Sequence, residues 1–205
     1  MGVGVAWRGW WWGVAAKVGL TAERVVRAAA DLADEVGFER LTVSAVARGF
    51  GVKDASLYSH VRGLEDLRVR VALLAAGEFA DRVGEAVAGR AGRDALIAYA
   101  GAYRDFARER PGRYAATQVR VPAGAAVAAG ATGPGRCAET TYAVLRGYGL
   151  QEPAATDAVR LLRATFHGFA QLEAGEGFTA ARDVEASWAR IVEALHVALE
   201  GWPRE

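Results

Sequence analysis

From Leu20 onward the apolar residues of this chain return every three or four positions, and no convincing alternating stretch interrupts them. That period admits helices and argues against a sheet-built fold, so the expected class is all-α. Val25, Val26, Ala29, Leu32, Ala33 and Val36 share one face of a helix over 21–36. Thr21 stands where a side-chain oxygen can cap the first free amides, Leu20 and Val25 occupy the staple positions around it, and Gly37 supplies the stop. The same device returns at once, with Leu41 before Thr42 as cap and Val46 four residues later. Gly49 and Gly51 flank Phe50 where this second helix must end. A third short segment, about Lys53 to His60, has Val52 and Leu57 in the staple positions but Lys53 where Ser or Thr is usual. Two short helices around a glycine-containing turn, after a longer supporting helix, form the pattern of a helix-turn-helix. In that arrangement the last helix is held clear of the core so that its polar face can enter a major groove.

Charge agrees with a local rather than a global interaction surface. Lys and Arg number 25 against 24 Asp and Glu, a net of +1, so the chain as a whole is no polycation. Between positions 40 and 62, however, Arg40, Arg48, Lys53 and Arg62 face one acid, Asp54, giving 4 − 1 = +3. Ser56, Tyr58, Ser59 and His60 add donors for phosphate oxygens. The competing description of the same residues is a solvated helix face with a core tyrosine.

The run Leu41-Thr42-Val43-Ser44-Ala45-Val46-Ala47, then Gly51-Val52, Leu57-Tyr58-Ser59-His60-Val61 and Glu65-Asp66-Leu67, resembles the DNA-binding domain of the TetR family of bacterial transcription regulators over roughly residues 20–70. The resemblance implies an all-helical protomer with a helix-turn-helix domain (20–66) and a larger helical effector-binding and dimerisation domain (67–205). It further implies a homodimer that binds a palindromic operator, acts as a repressor, and lets go when a small molecule enters the larger domain. Carried over by position, Thr42 caps the second helix and touches a phosphate, and Tyr58 and His60 contact phosphates. Lys53, Asp54, Ala55 and Ser56 open the recognition helix toward base edges or backbone, with Ser44, Arg48, Ser59 and Arg62 completing the expected DNA-binding set. Lys53 could reach guanine acceptors, and Asp54 could accept from a cytosine amino group or favour the helix dipole. Three positions depart from the family pattern: Lys53 for a hydroxyl cap, Val61 for phenylalanine, and Leu64 where a lysine is common, with Arg62 as its substitute. Phe166-His167-Gly168-Phe169, followed by Leu172-Glu173, resembles a signature of one branch of the family's regulatory domains in which tryptophan takes the first place.

Beyond position 66 the pattern predicts a linking helix over 67–87, a helix over 95–108, a short element begun by Pro111, a mobile loop over 120–136 and a helix over 136–148. Two long amphipathic helices close the chain. Their apolar residues Leu162, Phe169 and Leu172, then Trp188, Ile191, Leu195 and Leu199, are the expected dimer interface, paired across two chains as a four-helix bundle. Tyr99, Tyr103, Phe106, Tyr114, Phe166 and His167 are candidates for an effector cavity, against plain core packing as the alternative.

The rival function is a helical-bundle enzyme or a small-ligand-binding protein without DNA binding. Glu193 and His196 have the Glu-x-x-His spacing of di-iron bundles, but neither His60 nor His167 has a Glu three places earlier to supply the second copy. Gly133-Pro134-Gly135 fits a loose dinucleotide pattern without the strand that must precede it. Cys137, the one cysteine, excludes an internal disulfide and a multi-cysteine zinc site. No cofactor, metal or catalytic set is expected, and the location is cytoplasmic, with no apolar run long enough for a membrane span. Only two lysines, two isoleucines and no asparagine suggest a GC-rich bacterial source. Positions 1–19 carry four tryptophans among glycines and match a secretory signal poorly; the expectation is a disordered extension or an upstream start, with a Trp-bearing arm as the alternative.

Overall fold

Thr21 accepts a hydrogen bond from the Arg24 N–H at 3.2 Å and so opens the first helix, α1 (Ala22–Val36). The computed structural model describes residues 19–122 and 124–203, and the expectation for positions 1–18 lies outside the described residues. A 3-10 turn over Phe38–Arg40 follows Gly37, whose φ of 94° is the positive value that favours glycine. Thr42 accepts from the Ala45 N–H at 3.1 Å to start α2 (Val43–Gly49), and α3 (Asp54–Leu57) comes after the turn at Gly51. The later elements are α4 (Leu64–Val87), α5 (Gly92–Glu109), α6 (Pro111–Thr117), α7 (Ala125–Ala128), α8 (Gly133–Arg146), α9 (Ala154–Ala174) and α10 (Val184–Glu200). Among the described residues there is no strand.

The sequence expectation differs in three places. α3 is one turn long rather than running to His60, because Lys53 offers no side-chain cap and Tyr58–His60 continue as a turn. The predicted loop over 120–136 contains α7, and α8 begins at Gly133, with Pro134 in its first turn. The Gly-x-Gly motif is therefore a helix start with no strand before it.

Two apolar cores share α4. The first gathers Val25, Ala29 and Ala33 of α1, Leu41, Val46 and Leu57 of the short helices, and Leu67, Val71 and Ala75 of α4, with Ala116 of α6 inserted among them. The second fills the larger body, where Phe79, Tyr103, Phe106, Phe166 and Trp188 pack edge and face. The expected boundary at position 66 thus falls inside α4, which serves both cores. Backbones approach closely where α4 meets α8: a Cβ on Gly133 would lie 2.5 Å from the Gly77 backbone nitrogen, so only glycine fits.

Arg104 is a buried cation that ties the last two helices to α5. Its guanidinium binds Glu173 at 2.7 and 2.9 Å and Glu185 at 2.7 Å, and lies 5.3 Å from the ring centroids of Phe169 and Trp188. Hydrogen bonding to Arg104 holds the Glu173 carboxyl below the usual carboxylate range, against the upward push of burial. A depressed folded value stabilises the protein above the ordinary carboxylate range, and that contribution disappears as pH falls through the depressed value. Glu173→Gln is expected to lower stability at pH 7 and to remove part of the wild-type loss as pH falls below the ordinary carboxylate range. Urea unfolding at several pH values checks this; an unchanged acid limb in the variant contradicts it.

Candidate nucleic-acid interface and central cavity

The two short helices α2 and α3 bring the polar residues of segment 42–62 to one end of the molecule. Leu57 and Val61 are fully buried and anchor the α3 region to the core. Around them Thr42, Ser44, Arg48, Lys53, Asp54, Ala55, Ser56, Tyr58, Ser59 and Arg62 are exposed, and His60 is half-buried. Tyr58 leaves 57% of its surface open, so its ring is not the core tyrosine of the competing description. Arg40, Arg48, Lys53 and Arg62 form no ion pair among the described residues. Arg62 acts on the neighbouring Asp66, whose carboxylate accepts from the Arg62 N–H at 2.9 Å, so Arg40, Arg48 and Lys53 carry the free positive charge that a phosphate backbone attracts.

Some of the expected contacts are constrained by internal bonds. The Ser44 hydroxyl donates to the Asp54 carboxylate, which locks α2 to α3 and orients the start of the third helix. The Ser59 hydroxyl donates to the Ser56 carbonyl at 2.9 Å. The Thr42 oxygen accepts its cap bond and keeps its own O–H to donate outward.

The larger body encloses a cavity of about 430 Å³ between α4, α5, α6, α8 and α9. Of the six expected cavity residues, Tyr99, Tyr103 and Phe166 line it. Phe106, Tyr114 and His167 stand behind the wall: Phe106 packs on Phe79, and the Tyr114 hydroxyl joins the Tyr103 hydroxyl at 3.1 Å to His167 Nδ1 at 2.7 Å. Burial pushes the Tyr99, Tyr103 and Tyr114 phenols and the Cys137 thiol up, so all four stay neutral. Sequence reasoning missed Thr117, Gln118, Cys137, Thr141 and Arg163, all of which contribute to the wall. They carry no periodic signal, being small or polar residues whose inward direction only the packing decides.

The cavity reaches the head formed by α1, α2 and α3 through α6. Ala116, Thr117 and the following Gln118 line it, while the other end of α6 presses on α1. A Cβ on Gly112 would lie 2.1 Å from the Ala33 carbonyl carbon and oxygen. Next to it the Arg113 backbone N–H donates to Asp34 Oδ1 at 2.8 Å, and its guanidinium binds Asp34 and, at 2.6 Å, Asp31. Arg113 Nε is 2.8 Å from Glu78 Oε2 but out of line for a hydrogen bond. One buried side chain thus joins α1, α4 and α6.

The expected dimer residues fall into two groups. Leu162, Phe169, Trp188, Leu195 and Leu199 are buried within their own protomer, Leu162 in the cavity wall, because the inner faces of α9 and α10 pack on α5 and its neighbours. Leu172 is 51% exposed and Ile191 half-buried. Outward rows consist instead of Leu161, Ala164, Thr165, Gly168 and Leu172 on α9, and Ile191, Ala194, Val197 and Ala198 on α10. The Glu-x-x-His pair is engaged elsewhere, Glu193 by Arg93 at 2.7 Å and His196 by Tyr148 at 3.0 Å. No helix among the described residues is long and apolar enough to cross a membrane.

Comparison with known proteins supports both halves. The family model described as bacterial regulatory proteins, tetR family, matches residues 25–71, and the one described as tetracyclin repressor-like, C-terminal domain, matches residues 96–195. The HTH-type transcriptional regulator Rv0681 of Mycobacterium tuberculosis is 37% identical over 78% of this chain and 73% of its own length. The HTH-type transcriptional regulator YobS of Bacillus subtilis is 33% identical over 82% and 86% respectively. Among solved structures, a TetR variant from Acinetobacter baumannii in complex with minocycline has a TM-score of 0.67 at 21% identity, covering 89% of this chain and 98% of its own. Apo ActR from Streptomyces coelicolor also gives 0.67, at 19% identity over 90% and 96% of the two chains.

Proposed function

Because the chain belongs to the TetR family of bacterial transcriptional regulators, we propose that it is a homodimeric repressor, acting in the cytoplasm, that a small molecule releases from a palindromic operator. The observation that carries this reading is the continuity of α6, which lines the cavity at one end and clasps α1 of the DNA-facing head at the other. The outward rows of α9 and α10 supply the dimer face, contributing Leu161, Leu172, Ile191 and Val197 to a four-helix bundle. The two heads then place Lys53 to His60 in major grooves about 34–36 Å apart, or a multiple of that distance. An occupant of the cavity displaces α6, α1 follows, and the head spacing no longer matches the operator. A coupling of about 1–3 kcal/mol suffices for a 5- to 150-fold loss of affinity. The structural neighbour in complex with a small molecule supports reading the cavity as the effector site.

Within the head, Tyr58 serves as a phosphate contact and Lys53 as a base reader. Tyr58→Phe is expected to weaken binding to every duplex alike, whereas Lys53→Ala shifts sequence preference. Selection of bound sequences from a random pool, followed by titration of matched and scrambled sites, checks the assignment. The reverse pattern overturns it.

A further inference from the structure

The cavity wall has its free polarity at one end only. Tyr99 OH pairs with Thr141 Oγ1 at 2.8 Å, and Tyr103 OH pairs with Tyr114 OH at 3.1 Å. The Thr141 hydroxyl is also bonded to the Cys137 carbonyl, and that of Thr117 to the Tyr114 carbonyl at 2.7 Å. With these hydroxyls engaged by the protein itself, the inner wall offers chiefly ring faces, from Phe79, Tyr99, Tyr103 and Phe166. Arg163 is different. It lines the cavity yet is exposed, so it stands where the cavity meets solvent. Among the described residues it makes a long hydrogen bond, 3.4 Å to Gln118 Oε1, which leaves most of its five donors for another acceptor. Among the described residues no Asp or Glu lines the cavity.

We propose that the cavity takes a small aromatic monocarboxylate whose ring system lies among Phe79, Tyr99 and Phe166 and whose carboxylate pairs with Arg163 at the mouth. This rests on the reading of the cavity as the effector site, and it adds the chemical class of the occupant. A cation would meet Arg163 with no compensating acid. A molecule polar at both ends would find no free hydroxyl donor at the inner end, only oxygens that can accept. A planar guanidinium beside an otherwise apolar wall suits a carboxylate, which it can bind through two parallel N–H···O bonds.

Titration calorimetry on the full chain tests this with 2-naphthoate, its neutral isostere 2-naphthamide, and the cation 2-(aminomethyl)naphthalene, with benzoate and 4-phenylbenzoate as size controls. The acid that fits is expected to bind at least about 10-fold more tightly than its amide, the size of a charge-assisted hydrogen bond. Arg163→Gln, at an exposed side chain whose loss the fold tolerates, is expected to erase that preference and to leave amide affinity within about 2-fold, with Arg163→Lys retaining part of it. Equal or tighter binding of amide or amine, an acid preference that survives Arg163→Gln, or failure of every acid to bind each overturns the proposal. Anisotropy of a bound operator duplex separates the two levels. An amide that binds as tightly as the acid and releases DNA removes the carboxylate class but leaves the effector site. An acid that binds through Arg163 without disturbing the DNA complex keeps the class and removes the effector reading.

Discussion

Replacing Gly112 by alanine is expected to destabilise the protein by about 3 kcal/mol or more, at the upper end of overpacking costs. The added methyl would sit 2.1 Å from the Ala33 carbonyl carbon and oxygen and 2.5 Å from the Asp34 nitrogen. These are backbone atoms of α1, which no rotamer change can move aside, so either α6 lifts off α1 or the last turn of α1 distorts. Both outcomes loosen the joint between cavity and head. Urea unfolding measures the first effect, and operator affinity of the folded fraction measures the second. Gly101→Ala on α5 is the control, since its added Cβ meets nothing within 4 Å. A Gly112→Ala protein as stable as the Gly101→Ala protein would show that the α1–α6 contact is not as tight as described.

The second large effect belongs to Arg113. Its side chain is 5% exposed and its partner Asp34 11%, so truncation to alanine leaves a nearly buried carboxylate with the backbone N–H of residue 113 and the more distant Arg110, at 3.9 Å, as its remaining partners. Removing one member of a buried ion pair costs about 3–5 kcal/mol when the other charge stays uncompensated. Asp31 is 57% exposed and adds little, which puts the expectation at about 3 kcal/mol. Arg113→Ala, Asp34→Asn and the double variant form a cycle. The double variant should be less destabilised than the sum, because removing the acid as well removes the stranded charge. Where the single variant still folds, operator affinity should respond less to whatever ligand fills the cavity. Additive effects in the cycle contradict the latch.

How much of this was legible in the sequence follows from which interactions are local. The caps at Thr21 and Thr42 and the staple residues Leu20, Leu41 and Leu57 act within a few positions, and the structure places each as the spacing predicts. The all-helical class follows from the same short-range signals. Arg113 lies 79 positions from Asp34, and in a helical pattern it reads as one more solvated cation. Gly112 beside Pro111 reads as loop punctuation, although its role is a close approach to a helix far upstream. The cavity shows a third kind of limit. Aromatic spacing found Tyr99, Tyr103 and Phe166, but the same spacing also picked Phe106, which packs on Phe79 behind the wall. Periodicity reports that a side chain is buried, not whether it faces a neighbour or a void. The same limit applies to α9 and α10: five of the seven apolar positions picked there turn inward within the protomer, while Leu172 and Ile191 stay at least partly exposed beside smaller residues.

Each head presents Arg40, Arg48 and Lys53 outside any ion pair among the described residues, so two heads on one operator displace several counterions together. The most direct measurement is fluorescence-detected sedimentation of a labelled duplex taken from the DNA flanking this gene, with added protein at 50 and 200 mM salt. The account predicts a complex carrying an even number of protomers at low salt and an affinity at least about 100-fold weaker at high salt. A single protomer per duplex, or a complex whose affinity ignores salt, would contradict it.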